Sequence, residues 1–378
     1  MPDRSIDQRS PADRRGVAAL AGKAGSRLRL QPSGFLHGRP AETAIKDGRA
    51  RPLAGGGIAF THVQVLEPGR SPALIALNDL DAAFERSPDR HKAAGRLLET
   101  ISAPRPAWAG YSLDRTRIMG VVNATPDSFS DGGRFLDPAR AIEHGRHLLE
   151  AGADMIDVGG ESTRPGAEPV GIEEELHRVL PVVRALAESG APVSIDTRHA
   201  PVMIAALAAG ARAVNDVTAL SGDPQSLAVV ARSGAALVLM HMQGKPETMQ
   251  RDPRYDNVVL EVCDFLERRI AECERAGIDR SRLVVDPGIG FGKTLVHNLE
   301  LLAHLGALHG LGTGILLGVS RKGFIAKASH GEAPDRRLGG SLAAALAAHQ
   351  QGVQWLRVHD VAETRQAIAI KGQIDSAH

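Results

Sequence analysis

The chain has 378 residues, 43% of them hydrophobic and 24% charged, enough for one large domain with an appendage. With 45 Lys and Arg against 44 Asp and Glu, it carries no global field that would draw nucleic acid or an anionic membrane surface. No apolar stretch approaches the roughly 20 residues that cross a bilayer, and the N-terminus lacks the apolar core of a secretory signal.

Residues 1–55 are rich in Arg, Gly, Pro and Ala, with eleven Lys and Arg against five Asp and Glu. They read as a solvated, partly disordered arm, and without interleaved aromatics they are not expected to bind nucleic acid. From Gly57 to Leu66 apolar residues alternate, and Leu74–Ile101 has helical spacing, so a small α+β appendage is expected. Ala103-Pro104-Arg105-Pro106 reads as a rigid linker. The extension is placed at 1–112 and the main domain at 113–378.

Eight short apolar runs follow, each ending in polar residues. Ile118–Val122 leads to Asn123, Met155–Val158 to Gly159-Gly160-Glu161, Val193–Ile195 to Asp196, and Ala213-Val214 to Asn215-Asp216. Ala236–Met240 leads to His241, Leu283–Val285 to Asp286, Ile315–Val319 to Ser320-Arg321-Lys322, and Trp355-Leu356 to Arg357-Val358-His359-Asp360. Segments of 3.6-residue periodicity separate and follow them: 138–151, 172–189, 201–209, 224–233, 257–276, 295–309, 339–351 and 361–374. Gly152, Gly190, Gly210, Gly234, Gly277 and Gly352 directly follow their segments, the usual stop signal. Eight strand–helix units with chemistry at the C-terminal strand ends predict an α/β (β/α)8 TIM barrel. A doubly wound open sheet would concentrate its ligand at one switch point and leave most strand ends bare.

Cys263 and Cys273 lie on one predicted helix, about 15 Å apart along its axis. They cannot be bridged there, and reduced thiols suit the cytoplasm. The stretch at 288–294, GIGFGKT, is not a P-loop, because Pro287 stands where the first glycine is needed. It reads as a glycine turn that lets backbone approach a flat ligand. No His or Cys set has zinc spacing.

Asp196, Asn215 and Asp286, with Lys322, offer fixed acceptors and donors for a polar heterocycle bearing N–H groups. An Asp at a strand end also caps helices, but three such groups around one mouth point to a ligand. Asn123, Ser162, Thr163, Arg164, Arg357 and His359 come from strands one, two and eight, which are neighbours in a closed barrel, and are suited to phosphate. Asn123 is a possible oxygen ligand for Mg2+, with a diphosphate supplying others. A heterocycle reader beside a diphosphate clamp suggests group transfer with diphosphate leaving.

Met119–Gly133 (MGVVNATPDSFSDGG) and Gly152–Ala167 (GADMIDVGGESTRPGA) resemble the two signatures of the dihydropteroate synthase family. SIDT, VND, MHMQGKPETMQ, DPGIGFGK, GVSRK and RVHD follow in that family's order, and the resemblance covers about 113–375. It implies a cytoplasmic, homodimeric (β/α)8 transferase of folate biosynthesis and target of sulfonamides. Such an enzyme joins p-aminobenzoate to (7,8-dihydropterin-6-yl)methyl diphosphate, releasing diphosphate. By motif position, Asp196, Asn215, Asp286 and Lys322 would hold the pterin, and Thr163, Arg164, Arg357 and His359 the diphosphate. Asn123 would ligate Mg2+, and Phe129, Thr163, Pro165, Phe291 and Lys322 would frame p-aminobenzoate. Asp196, Lys322, Asn123 and Arg357 are the expected catalytic set, acting in an SN1-like displacement. Loops 123–135 and 161–170 are expected to fold over the site.

Two positions depart from the family pattern. Gly323 stands where Ser is common, and Arg198-His199 where the second residue is commonly Lys. A pterin-binding methyltransferase would share Asp196, Asn215 and Asp286 but would not need Arg164, Arg357 and His359. A non-catalytic paralogue would have an eroded diphosphate clamp.

Overall fold

The computed structural model describes residues 28–125, 138–162, 170–244 and 248–377. The N-terminal part is an antiparallel sheet with helices. Strand β1 (Arg29–His37) pairs with β3 (Ile58–Leu66), whose other edge takes β2 (Arg51–Pro52) and β4 (Ala73–Ala76). Helices α1 (Gly38–Lys46), α2 (Leu80–Phe84) and α3 (Pro88–Ser102) complete it. Leu30, Phe60, Val63, Ile75, Phe84, Leu98 and Ile101 form its core.

Strand β1 and helix α1 occupy a stretch whose composition reads as a solvated arm, and over 29–55 that reading is corrected. Arg29 and Gln31 look like surface residues, yet both are buried against the main domain. The Arg29 guanidinium donates to Asp264 (2.9 Å) and Glu267 (2.7 Å), and Gln31 Nε2 donates to the Ala303 carbonyl (3.1 Å). Those partners lie more than 230 residues away, so local composition could not reveal them.

The main domain is a closed parallel barrel. Its strands are β5 (Arg117–Asn123), β6 (Met155–Gly159), β7 (Val193–Asp196), β8 (Ala213–Asp216), β9 (Ala236–Met240), β10 (Leu283–Asp286), β11 (Gly314–Gly318) and β12 (Trp355–Val358). Around them lie α4 (Pro138–Glu150), α5 (Ile172–Glu188), α6 (Ala200–Ala208), α7 (Ser226–Ser233), α8 (Val258–Arg275), α9 (Leu295–Ala303), α10 (Gly323–Ala328), α11 (Leu338–Gln350) and α12 (Val361–Asp375). The barrel and helix periods predict this order. Gly234 ends α7 in the left-handed conformation, as a helix stop requires. The predicted helix 295–309 differs: α9 stops at Ala303 and a 3-10 segment, Leu305–Leu311, packs on β1 and α3. The short α10 has too few turns to show a period.

The N-terminal mouth is plugged from outside. Trp108, just before β5, lies edge-on to Trp355 with ring centroids 5.3 Å apart, and its Nε1 donates to the Arg282 carbonyl (3.0 Å). Together with Met119, Met155, Ala213, Val238, Val284 and Leu316 they make an apolar floor. Arg105 ties the connector down by donating to the carbonyls of Thr313 (3.1 Å) and His309 (2.8 Å).

Candidate active site

Side chains along a strand point inward every second residue, and alternate strands fill each layer of an eight-stranded barrel. Strands β6, β8, β10 and β12 contribute Met155, Ala213, Val284 and Trp355 to the floor. Two residues further on, the same strands supply Asp157, Asn215, Asp286 and Arg357. One entire layer is therefore polar, and three of its four members are almost fully buried.

Arg357 joins this layer across the barrel. Its Nε donates to Asp157 Oδ2 (2.6 Å) and its Nη2 to Asp196 Oδ2 (2.8 Å). Asn215 Nδ2 donates to the same Asp157 oxygen (3.0 Å). The other Asp157 oxygen is buried with no protein partner. Burial would lower the proton affinity of Arg357, but Asp157 and Asp196 together raise it, so the guanidinium stays charged.

Lys322 follows strand β11, close to its Gly318: a Cβ there would stand at ordinary contact distance, 3.7 Å from Lys322 Nζ and 3.9 Å from Arg357 Cδ. Lys322 Nζ donates to the Ile289 carbonyl (2.5 Å) and sits 4.7 Å from the centre of the Phe291 ring. Burial pushes its ammonium down to about 8, with Asp286 and Asp196 opposing. Burial also raises Asp196 to about 7, with Arg357 pulling it back and Asp157 pushing it further. Asp286 is raised by burial too, against the charge of Lys322, and accepts from the Gly288 N–H (2.7 Å). A carboxyl raised and an ammonium lowered by burial beside one another are the kind of pair found at functional sites.

His359 lies just beyond β12. Its ring Nδ1 is 3.1 Å from Ser320 Oγ, which also accepts from the His359 N–H (3.2 Å). Arg357 reaches across to the carboxylates, whereas His359 faces the β11 loop. Asn123 ends β5 half-buried, paired with Gly159 in register. Phe129, Thr163, Arg164 and Pro165 lie outside the described residues, as does most of the two loops expected to close.

A family model described as pterin binding enzyme matches residues 119–359. Dihydropteroate synthase of Escherichia coli K12 is 47% identical over 264 residues, covering 69% of this chain and 93% of that protein. The chain belongs to the dihydropteroate synthase family. A dihydropteroate synthase of Neisseria meningitidis serogroup B is 46% identical over 263 residues, covering 68% of this chain and 92% of its own. The structure resembles Xanthomonas albilineans dihydropteroate synthase with 4-aminobenzoic acid, with TM-score 0.68 and 49% identity over 72% of this chain and 98% of that one. The same enzyme in complex with 7,8-dihydropteroate gives TM-score 0.65 and 47% identity over 72% and 99%. The appendage precedes the segment matched by the family model.

Asp157 is the member of this dihydropteroate synthase-family site that motif reading passed over. Its signal was a carboxylate in the middle of the apolar strand Met155–Gly159. The Arg198-His199 departure also resolves locally. Arg198 makes a two-pronged contact with Glu161 (2.9 and 2.8 Å), and His199 Nδ1 lies 2.7 Å from Glu175.

Proposed function

We propose that the protein joins p-aminobenzoate to (7,8-dihydropterin-6-yl)methyl diphosphate, forming 7,8-dihydropteroate and diphosphate. The observation that carries this reading is the polar layer of Asp157, Asn215, Asp286 and Arg357, capped by Asp196 and Lys322, in a barrel of this family. Buried carboxylates and a buried amide are suited to the N–H groups of a pterin. The bond formed joins the aniline nitrogen to the exocyclic carbon. The bond broken joins that carbon to diphosphate, and a proton leaves the nitrogen.

The electron-rich dihydropterin can carry positive charge as the carbon–oxygen bond lengthens, so we favour a largely dissociative displacement. Ionised Asp196 is placed to stabilise that charge, and Arg357 keeps it oriented. The acceptor amine is a competent nucleophile once held in place, so no strong base is required. In this reading Phe291 and Lys322 frame the acceptor, with Phe129, Thr163 and Pro165 as further expected contacts. Thr163, Arg164, Arg357 and His359 are the expected diphosphate ligands.

Asn123 is suited to Mg2+ in a limited way. Among the described residues no group of three or more His, Cys, Asp or Glu side chains could hold an ion. One neutral oxygen suits an ion that takes its remaining ligands from diphosphate and water. Bound there, Mg2+ would supply charge stabilisation to the leaving group.

A homodimer is supported by the outer face of three adjacent helices. Val296 and Leu299 on α9, Ala343 and Ala347 on α11, and Ile370 and Ile374 on α12 are all exposed. Charged substitution at Ile370 and Ile374 is expected to give a monomer in sedimentation. No helix of the described residues is long and apolar enough to cross a membrane, and both cysteines are free and buried, which supports the cytoplasm as its compartment.

The decisive assay follows diphosphate release and dihydropteroate formation with and without p-aminobenzoate and Mg2+. Acceptor-dependent product is expected; diphosphate release that never depends on the acceptor would overturn the reading.

A further inference from the structure

Lys293 belongs to the glycine turn at 288–294 and reaches neither Asp196, Arg357 nor the mouth of the barrel. It is 2% exposed, one of the largest fully buried side chains in the protein. Its ammonium meets three acceptors at 2.9 Å: the Gly288 carbonyl, the Phe291 carbonyl and His241 Nδ1. Acceptance at Nδ1 fixes His241 as the neutral tautomer with hydrogen on Nε2. Burial, reinforced by the Lys293 charge, pushes that ring down to about 2. Phe265 packs edge-on against the His241 ring at 4.9 Å, so the acceptor is itself immobilised.

Every carbonyl from Gly288 to Gly292 is held by a side chain. Lys293 takes those of Gly288 and Phe291, Lys322 takes Ile289 (2.5 Å), Gln250 takes Gly290 (2.6 Å), and Tyr255 takes Gly292 (2.8 Å). Two of them, the Gly288 and Phe291 carbonyls, converge with His241 Nδ1 on Lys293 Nζ, and three acceptors call for three N–H donors, so this contact set holds the side chain as an ammonium against the burial that pushes it well below the usual lysine range. The turn in turn delivers the Ile289 carbonyl and the Phe291 ring, which are the two groups that fix Lys322.

We infer that Lys293 is a positioning residue for the reaction, an internal cation that shapes the 288–292 turn so that Phe291 and Lys322 form the acceptor side of the site. The inference rests on the proposed activity for its kinetic consequences, but the placement of Lys322 can be read without turnover.

The test uses the full chain with Lys293→Met, which keeps length and removes charge. Asn215, Asp157, Asp196 and Arg357 stand on other strands and keep their place, whereas Asp286 and Lys322, which also serve the pterin, adjoin the turn. The KM for p-aminobenzoate, whose frame includes Phe291 as well as Lys322, should therefore rise at least about tenfold, and that for the pterin diphosphate by a smaller factor. Asp286, Asp196 and Arg357 face Lys322 and are unaltered, while loss of the Lys293 charge removes a repulsion and acts in the same direction as loosening the turn. Loosening the turn rehydrates the ammonium. The pH at which Lys322 is half-labelled by an amine-reactive reagent, followed by mass spectrometry, should rise by at least one pH unit relative to the wild-type chain.

A folded Lys293→Met protein with unchanged acceptor KM and unchanged Lys322 labelling would overturn the inference. Should that variant fail to fold, Lys293→Ala is measured with added ethylammonium. Saturable recovery of the labelling profile is expected, and no recovery at any amine concentration is the contrary result. Absence of product from the wild-type chain would count against the proposed activity, whereas the labelling result bears on Lys293 alone.

Discussion

Replacing Asp196 with Asn isolates the cost of keeping an ionisable carboxyl inside the barrel. Burial raises that carboxyl from 3.8 to about 7. In the unfolded chain it loses its proton near pH 4, whereas the folded protein retains it until about pH 7. The associated stability is full below pH 4 and is lost as pH rises through 7. At roughly 1.4 kcal/mol per tenfold change in proton affinity, the loss amounts to about 4 kcal/mol. The Asp196 side chain is 16% exposed, so little screening reduces that figure. The Asn variant has no proton to hold. Stability of wild type minus variant should therefore fall by up to about 4 kcal/mol between pH 4 and pH 8. Other titrating carboxylates are common to both proteins and cancel to first order. Urea denaturation at constant ionic strength, with unchanged m values, measures the difference. A difference that stays flat across this range, or rises with pH, would refute the reasoning.

Three further outcomes are expected. Arg29→Met leaves Asp264 and Glu267 without their shared cation and should cost about 2–4 kcal/mol, since Glu267 is partly exposed and can rehydrate; an unshifted urea midpoint would show that the appendage is not braced there. Gly288→Ala places a Cβ 1.9 Å from the His241 carbonyl at φ +69, so the turn must move and kcat/KM should fall at least about a hundredfold; near-normal turnover would contradict the described geometry. Gly323→Ser meets nothing within 4 Å and should leave stability within about 0.5 kcal/mol. Its added hydroxyl should lower the KM for p-aminobenzoate, and an unchanged KM would make that hydroxyl irrelevant.

The barrel was legible because each strand and each helix writes its own period into adjacent residues. Asp196, Asn215, Asp286 and Lys322 were legible for a related reason: polar groups after apolar runs mark strand ends. What escaped were relations between distant strands. Asp157 looks like an interruption of an apolar strand until Arg357, two hundred residues later, is seen to donate to it. Lys293 looked like a failed phosphate motif because its three acceptors include His241, on a neighbouring strand end. Arg29 looked solvent-bound because its partners sit on helix α8. In each case a buried charge is explained only by a partner that the local pattern does not contain.

The floor of the barrel has a consequence for how the chain assembles. Trp108 and Trp355 are the molecule's two tryptophans, both fully buried and in edge contact. One precedes the first barrel strand and the other opens the last, so the pair meets only when the ring of strands closes. Contacts of such high sequence separation form late and slowly. Tryptophan emission followed during refolding is therefore expected to change as the ring of strands closes.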